Sequence, residues 1–281
     1  MSVIGLGQQI NLDKGEGQIV NGKWTDDIRA LGPELVIEFI SPRKLYFTDT
    51  ADTYITYKNI DWVPVNFGQI ESSDNGWTYN MHCYPKQIHV PIYQPCLNTL
   101  ALASAMGVTL SPYSQVLDID FPVINIYSGF LINEVRKQSM NKAAKNGDLG
   151  NAYFIYLDGN YLHTLTWKKV LQSNAQSLKT EIPGLEGTDI LKYVQDRIAT
   201  DGSATQHPKV FNYNSFLYRM IEKKFDHFST QPLLFGSMYT IRFSDTSELD
   251  ESNKFMCIRS SFDFTSANGY TNTLAHISLE I

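Results

Sequence analysis

The sequence lacks several features that mark common classes of protein. It has only three cysteines, Cys83, Cys96 and Cys257, and this odd, sparse count argues against a disulfide framework and fits assembly in a reducing compartment. No apolar run approaches the length of about 18 residues that a membrane-spanning helix needs. The first residues also lack the basic and apolar regions of a signal peptide. We therefore expect neither secretion by that route nor membrane insertion.

Charge is scarce as well. Charged residues make up 19% of the 281 residues, below the usual quarter, and the formal net charge is −6. The chain shows no basic stripe of the kind that binds nucleic acid. Tyr, Asn, Ser and Thr are plentiful instead, which suits a β-rich protein with large polar contact surfaces.

Motifs for nucleotide binding and for common catalytic sites are missing. Gly5 and Gly7, like Gly15 and Gly17, belong neither to Gly-x-Gly-x-x-Gly nor to a Gly-Lys-Ser/Thr ending. No Gly-x-Ser-x-Gly and no His-Glu-x-x-His occurs. We therefore predict no catalytic, cofactor-binding or metal-binding residues, no cofactor, and a protein that is not an enzyme.

The dominant pattern is that of short strands. Between residues 31 and 94, strand-like runs at 34–40, 54–58, 62–67 and 77–82 recur about every ten residues, as in an antiparallel barrel or sandwich. Pro64 places its run at an edge or a bulge, and Asn75-Gly76 predicts a tight hairpin turn. A second hairpin is predicted at 152–157 and 161–166 around Asp158-Gly159-Asn160.

The end of the sequence predicts a third hairpin. On its first strand Met256, Ile258, Phe262 and Phe264 share one parity, whereas Arg259, Ser261 and Asp263 share the other. Asn268-Gly269 supplies the turn, because both residues tolerate positive φ.

Helices are predicted at 95–106, at 133–145, at 189–198 after a Thr188 cap, and from about 213 to 228. The fold class is therefore α+β and mainly antiparallel β, with two β-barrel-like domains. Residues 1–30, rich in glycine, form a flexible arm. Residues 31–114 form the first β domain with a short helix near 96–106. Residues 115–281 form the second, with strands in 115–165 and 230–281 and a helical insertion at 166–229.

Four groups of residues are candidate functional sites. His82, Cys83 and His89 carry metal-ligand chemistry, but His82 and His89 point to opposite faces of one strand, so ordinary packing is favoured. Asp118 and Asp120 share one strand face, which is more typical of a solvated edge or a subunit contact than of catalysis.

The other two groups are charged. The acidic cluster between two terminal strands lacks the spacing of a calcium loop and is favoured as a solvated turn; it comprises Asp245, Glu248, Asp250 and Glu251. The predicted helix 133–145 is basic in an acidic chain. Its cations form either a solvated face or a surface toward an acidic neighbour or DNA; they are Arg136, Lys137, Lys142 and Lys145.

Residues 230–281 carry a family resemblance. Leu233-Leu-Phe-Gly236, the strand Met238-Tyr-Thr-Ile-Arg-Phe243 and the terminal hairpin with Gly269-Tyr-Thr-Asn-Thr-Leu274 resemble the carboxyl end of bacteriophage baseplate hub proteins. Phe262 stands near the place where those proteins often have His. The segment from Tyr46 through the run after Trp62 is similar to small β domains of phage tail-tip proteins.

The resemblance implies antiparallel β-barrels arranged in a ring around a tail axis, typically as trimers that mimic the sixfold tube. It implies a structural, hub-like subunit of a phage tail tip or baseplate that joins the tail tube to the spike or tip. Partners would be copies of itself in a trimer or hexamer, the tube, spike and tape-measure proteins, and DNA passing through the lumen. The protein would reside in the virion tail after assembly in the host cytoplasm.

Two alternatives stay open. A virion-associated carbohydrate- or peptidoglycan-cleaving enzyme would bring two acids or a metal trio together in one cleft. A host-binding adhesin module would be a soluble monomer with an exposed aromatic patch.

Overall fold

The computed structural model describes residues 9–47, 53–119, 125–179, 217, 220–229, 233–242, 254–265 and 269–279. Within these ranges the chain is mostly β-strand, the strand pairings are mainly antiparallel, and three α-helices are present. The predicted fold class, α+β and mainly antiparallel β, is confirmed.

Eleven strands form one large sheet. They are β1 (Gln9–Asn11), β2 (Gln18–Asp27), β3 (Glu34–Ser41), β4 (Tyr54–Tyr57), β5 (Ile60–Ser73), β6 (Gly76–Pro85), β12 (Gln176–Lys179), β13 (Ile221–Ser229), β14 (Met238–Arg242), β15 (Lys254–Asp263) and β16 (Tyr270–Ile277). The order is β1-β4-β5-β6-β3-β2-β15-β14-β12, and β16 also pairs with β15 and carries β13 on its other side. Among the described strands this path is open rather than closed into a barrel.

The remaining strands are short. A three-stranded sheet contains β8 (Thr109–Leu110), β10 (Tyr153–Leu157) and β11 (Tyr161–Thr166), and β7 (Pro91–Ile92) pairs with β9 (Ile126–Tyr127). The predicted hairpin around Asp158-Gly159-Asn160 is therefore present as β10 and β11, which pair antiparallel from Tyr153↔Thr166 to Leu157↔Leu162.

Strand β2 lies in the middle of the large sheet. It pairs antiparallel with β3 on one side and with β15 on the other, so that Trp24 lies opposite both Leu35 and Phe262. Residues 18–27 belong to the segment predicted as a flexible arm, and here they form an ordered, two-sided strand. The reason is that β2 pairs with β3, which follows it in the chain, and also with β15 near the other end of the sequence, and a local reading of its glycines could not reveal this second partner.

The β5–β6 hairpin is present, but its two-residue turn is Asp74-Asn75, one residue earlier than the predicted Asn75-Gly76, because Ser73 pairs with Gly76. Gly76 adopts a φ of +127°, and a Cβ atom there would meet the Ser41 backbone carbonyl, so glycine is required. Pro64 lies opposite Cys83 where the register shifts, which confirms the predicted bulge.

The terminal hairpin is also present, but burial along its first strand does not follow the predicted alternation of apolar and polar positions. A register shift between Cys257 and Arg259 places a bulge at Ile258, and residues 255–258 are all buried. The strand is therefore covered on both faces before the bulge.

Three helices occur in the described residues: α1 (Thr99–Met106), α2 (Ser128–Lys145) and α3 (Trp167–Leu171). The side chain of Asn98 caps α1, and Gly107 ends it in the left-handed conformation, as predicted. Helix α2 begins five residues earlier than predicted and ends at the predicted place. None of the described helices has the length and apolarity needed to cross a membrane.

The predicted helix from about 213 to 228 is wrong over residues 221–229. This segment forms β13, which pairs with β16 from Ile221↔Ile277 to Ser229↔Tyr270. Its local sequence suits a helix, and the available edge of β16 decides for a strand. The predicted helix at 189–198 lies outside the described residues.

Three apolar clusters form the core. One lies against β3, β5 and β6 and contains Phe39, Trp62 and Met81. A second, around Phe154, Trp167 and Met256, joins β10, α3 and the terminal strands. The third, around Leu102, Ile132 and Leu162, joins α1, α2 and the β10–β11 hairpin. The division into two domains at 114/115 stays a prediction, but α1 and β8 pack with β11, beyond that boundary.

Candidate functional site

The histidine and cysteine residues weighed as metal ligands do not converge. The Nε2 atom of His82 contacts Glu34 Oε1, and Cys83 is fully buried, where burial raises the pKa of its thiol. His89 lies in a 3₁₀ turn after β6, and burial lowers its pKa. Among the described residues no three His, Cys, Asp or Glu side chains come close enough to hold a metal ion.

The acidic pairs are only partly described. Asp118 is exposed between the buried Leu117 and Ile119, and its backbone forms an isolated bridge with Asn98. Asp120 and the cluster Asp245, Glu248, Asp250 and Glu251 lie outside the described residues.

The basic helix is divided between core and surface. Arg136 is fully buried, donates from Nε to the Ile155 carbonyl at 3.0 Å, and donates from Nη2 to the Ala30 carbonyl at 2.9 Å. Lys137 pairs with Glu134 at 3.7 Å, whereas Lys142 and Lys145 are exposed in the last turn, where they complement the helix dipole. Arg136 therefore ties α2 to β10 and cannot belong to a solvated or DNA-facing surface, which corrects that reading.

An exposed apolar surface surrounds the third core cluster. Five large side chains there are 53–76% exposed: Tyr93, Leu97, Leu100, Tyr127 and Phe130. They lie after β7, at the start of α1, on β9 and in the first turn of α2, and these elements contact one another. We call this set the aromatic–leucine surface. Exposed apolar side chains on neighbouring elements make this region a candidate interaction site.

A cleft of about 990 Å³ opens between β2, the β10–β11 hairpin and segment 233–237. We call it the hairpin cleft. The β4–β5 turn forms a further part of its wall through Lys58. Its size is that of small-molecule and saccharide sites.

Asp26 lines the hairpin cleft from strand β2 and is half-buried. It accepts a hydrogen bond from the Tyr156 hydroxyl at 2.5 Å and another from Trp24 Nε1 at 2.9 Å. Burial raises the pKa of Asp26 above its ordinary value of 3.8, although the two hydrogen bonds oppose the rise. Tyr156 shows the corresponding effect, because its burial and the neighbouring Asp26 raise its pKa well above 10.0.

Asp158 lies at the turn of the hairpin and has the opposite behaviour. Its Oδ2 atom is 2.7 Å from His163 Nε2, and its Oδ1 atom accepts the backbone N–H groups of Asn160 and Tyr161. Burial by itself would raise the pKa of Asp158, but these hydrogen bonds and the charge of His163 lower it. The carboxylate is therefore fixed and ionised at neutral pH.

Lys58 covers the opposite wall. Its Nζ atom is 4.9 Å from the Phe262 ring centroid and 5.4 Å from that of Trp24, within cation–π range. Burial lowers its pKa, and the charge of Asp26 opposes that shift. The Lys58 ammonium group therefore covers the Trp24 and Phe262 rings on this wall.

No protein-family model and no curated protein matches the chain.

Solved structures do match. One is the c3393 protein of E. coli, a type VI secretion system component described as similar in structure to T4 tail proteins gp27 and gp5. It has a TM-score of 0.47 and 11% identity with this chain, and the match covers 94% of this chain and 74% of that one. A tail protein from Neisseria meningitidis MC58 has a TM-score of 0.46 and 10% identity, and the match covers 93% of this chain and 92% of that one. Prophage tail protein gp18 from Listeria monocytogenes EGD-e has a TM-score of 0.46 and 9% identity over 92% and 89%.

Little in the sequence points to the hairpin cleft. The local pattern identifies Asp158 only as a turn residue and Asp26 only as a charge in the predicted arm. Their common cleft exists because β2 and the β10–β11 hairpin, which are 130 residues apart in sequence at Asp26 and Tyr156, lie side by side.

Proposed function

We propose that the protein is a structural, hub-like subunit of a phage tail tip or baseplate, forming a ring that joins the tail tube to the spike or tip. Its partners in this role are copies of itself and the tube, spike and tape-measure proteins. The sequence resemblance at 230–281 and 31–94 supports the proposal. The structural observation that carries it is the aromatic–leucine surface.

Exposure of this apolar surface to water is energetically unfavourable. Tyr127 and Phe130 are 63% and 57% exposed, although residues next to them, Ile126 and Leu131, turn inward. Aromatic side chains of this kind are enriched at the centres of protein interfaces. We propose a second copy as the occupant, since a ring requires a contact that repeats around one axis.

Native mass spectrometry with negative-stain imaging tests the proposal. We expect the wild type to form a closed trimer or hexamer with a central hole. The double variant Tyr127→Ser/Phe130→Ser should be monomeric, because each lost anchor weakens an interface by about 2 kcal/mol. Tyr46→Ser, which removes an aromatic side chain that is 64% exposed elsewhere, is the matched control and should still form the ring.

A monomeric wild type at the concentrations used for imaging would contradict the ring. Equal assembly of the double variant and the control would show that the ring uses another surface.

One observation favours a second candidate, the carbohydrate- or peptidoglycan-cleaving enzyme. Asp26 and Asp158 line the same cleft and have pKa values shifted in opposite directions, as an acid and a base would. However, both oxygens of Asp26 already accept hydrogen bonds, and Asp158 is paired with His163. Release of reducing ends from peptidoglycan by the wild type, lost in Asp26→Asn, would favour the enzyme over the hub.

A further inference from the structure

We propose that the hairpin cleft binds a saccharide chain that carries N-acetyl groups. This binding role is separate from ring formation, because the cleft and the aromatic–leucine surface share no residue. The inference is carried by three features of the cleft: two positioned tyrosines at the rim, an apolar interior, and a set of uncharged or mutually paired polar groups.

The rim tyrosines are Tyr113, which is 89% exposed, and Tyr161, which is 43% exposed. The loop that carries Tyr113 is held to β11 at both ends. Ser111 N donates to the Leu162 carbonyl at 3.0 Å, and Gln115 N donates to the Thr164 carbonyl at 2.7 Å. Tyr161 begins the same strand, so both rings are presented from one rigid element.

Such rings are suited to stacking on sugars. A tyrosine side chain offers an apolar face and a hydroxyl at its tip, which matches the apolar face and the hydroxyl groups of a pyranose ring. Trp24 is less suited, because it packs edge-on against Trp62 at 4.8 Å and lies beneath the Lys58 ammonium group. We therefore assign the stacking contacts to Tyr113 and Tyr161.

The interior of the cleft accounts for the N-acetyl groups. Leu165, Val170 and Phe235 line it, together with Leu234, which is 64% exposed. A polysaccharide of hydroxyl groups alone would leave this apolar surface uncovered. The methyl of an acetamido group can cover it, with a gain of about 25 cal/mol for each Å² of apolar surface removed from water.

Polar groups at the cleft wall match the remaining atoms of such a sugar. Asn160, Gln172 and Asn174 line the wall with amide donors and acceptors for hydroxyl and acetamide groups. Asp158 is held by His163. The carboxylates of Asp26 and Asp158 and the ammonium groups of Lys58 and Lys169 line the same cleft, so their charges balance and the geometry points to a neutral ligand.

Isothermal titration of the full chain with the N-acetylglucosamine tetramer, and with cellotetraose as the probe without acetamido groups, tests the proposal. We expect the tetramer to bind and cellotetraose to bind at least tenfold more weakly. Tyr113→Ala and Tyr161→Ala should each weaken binding of the tetramer by about tenfold. Tyr46→Ala removes a tyrosine that is 64% exposed outside both the cleft and the aromatic–leucine surface, and its affinity should stay within twofold of wild type.

Three results would overturn the inference: no heat of binding at millimolar tetramer, equal affinity for the two probes, or unchanged affinity in both rim variants. Separate titrations with soluble peptidoglycan fragments and with an N-acetylated surface polysaccharide distinguish these two sources of an N-acetylated saccharide. Binding of either supports the proposal. Since the titration also works on a monomer, its result is independent of whether the ring forms.

Discussion

At the scale of single residues, Arg136 shows how burial changes the role of a charge. It lies on the stripe of α2 that also contains Ile132, Met140 and Ala143, all of them buried. The spacing of this stripe, four, four and three residues, is that of the core-facing side of a helix. The guanidinium group is stabilised there by the Ile155 and Ala30 carbonyls. Removal of a buried group of this kind leaves its partners unsatisfied.

Asp26 and Asp158 provide a prediction at the same scale. Carbon-detected NMR titration of the side-chain carboxyls should give a midpoint above 3.8 for Asp26 and below 3.8 for Asp158. Burial raises the first, and hydrogen bonds with His163 and two backbone N–H groups lower the second. His163→Ala should raise the pKa of Asp158 and leave that of Asp26 nearly unchanged.

The signs of the two contributions to stability are opposite. The contribution of Asp26 is fully present below its unfolded pKa and is lost as the pH rises through its higher folded pKa. The contribution of Asp158 is present above its unfolded pKa and is lost as the pH falls through its lower folded pKa. Midpoints on the same side of 3.8 for both carboxyls would contradict the described environment of the cleft.

At the scale of elements, the turn of the β10–β11 hairpin is packed against the large sheet. Gly159 has a φ of +99°, and a Cβ atom there would meet Ile60, with Cγ1 at 2.8 Å. Ile60 follows the β4–β5 turn, in which Lys58 and Asn59 both have positive φ. This close approach of two turns sets the width of the hairpin cleft.

Gly159→Ala should therefore lower the free energy of unfolding by about 2–4 kcal/mol, from backbone strain and from the contact with Ile60. Urea unfolding measures the change. Gly147→Ala is the matched control, because Gly147 has a φ of +68° and open space around it, so only the strain of about 1 kcal/mol remains.

Ile60→Ala in the Gly159→Ala background separates the two causes. The reference is the Ile60→Ala single variant, which itself loses core packing because Ile60 is buried. Relative to that reference, Gly159→Ala should cost only the backbone-strain part, since the shorter side chain leaves room for the new methyl. Equal losses in the Gly159 and Gly147 variants would show that the two turns do not pack closely.

At the scale of the whole molecule, β2 joins two parts of the sheet. Thr25 lies opposite Glu34 on β3 and opposite Ser261 on β15. The pairings on both sides of one strand couple the core around Trp62 to the strands around Met256. We therefore expect the described sheet to unfold as one cooperative unit.

Thr25→Pro should lower the free energy of unfolding by about 3 kcal/mol or more, because proline removes a ladder hydrogen bond in a strand paired on both sides. Hydrogen exchange should accelerate in β6 and in β16 alike. Asn174→Pro, at an exposed position after α3, is the control and should change neither strand. Faster exchange in only one of them would show two independently unfolding units.

Much of the local structure could be predicted from sequence. The hairpins at Asn75-Gly76, Asp158-Gly159-Asn160 and the terminal turn follow from residues that accept positive φ between strand-like runs. The sequence predicts the end of helix α1 at Gly107, whereas it places the start near Pro95, before the observed start at Thr99. These features depend on neighbours within a few residues, which is why the sequence pattern was sufficient.

Features that depend on distant partners could not be predicted. Segment 221–229 has a helix-compatible sequence and becomes β13 because β16 offers an edge. Residues 18–27 look like a glycine-rich arm and become the central strand β2 because β3 and β15 accept them.

The sequence by itself determined the α+β class, the hairpins and the carboxyl ends of helices α1 and α2, because local backbone preferences and apolar periodicity set these. Only the tertiary structure decided that Arg136 is buried, that β2 unites the sheet, and that Asp26, Asp158 and the rim tyrosines line one cleft. The physical reason is that pairing and burial between residues far apart in the chain supply most of the stabilising free energy, and a local pattern does not specify those partners.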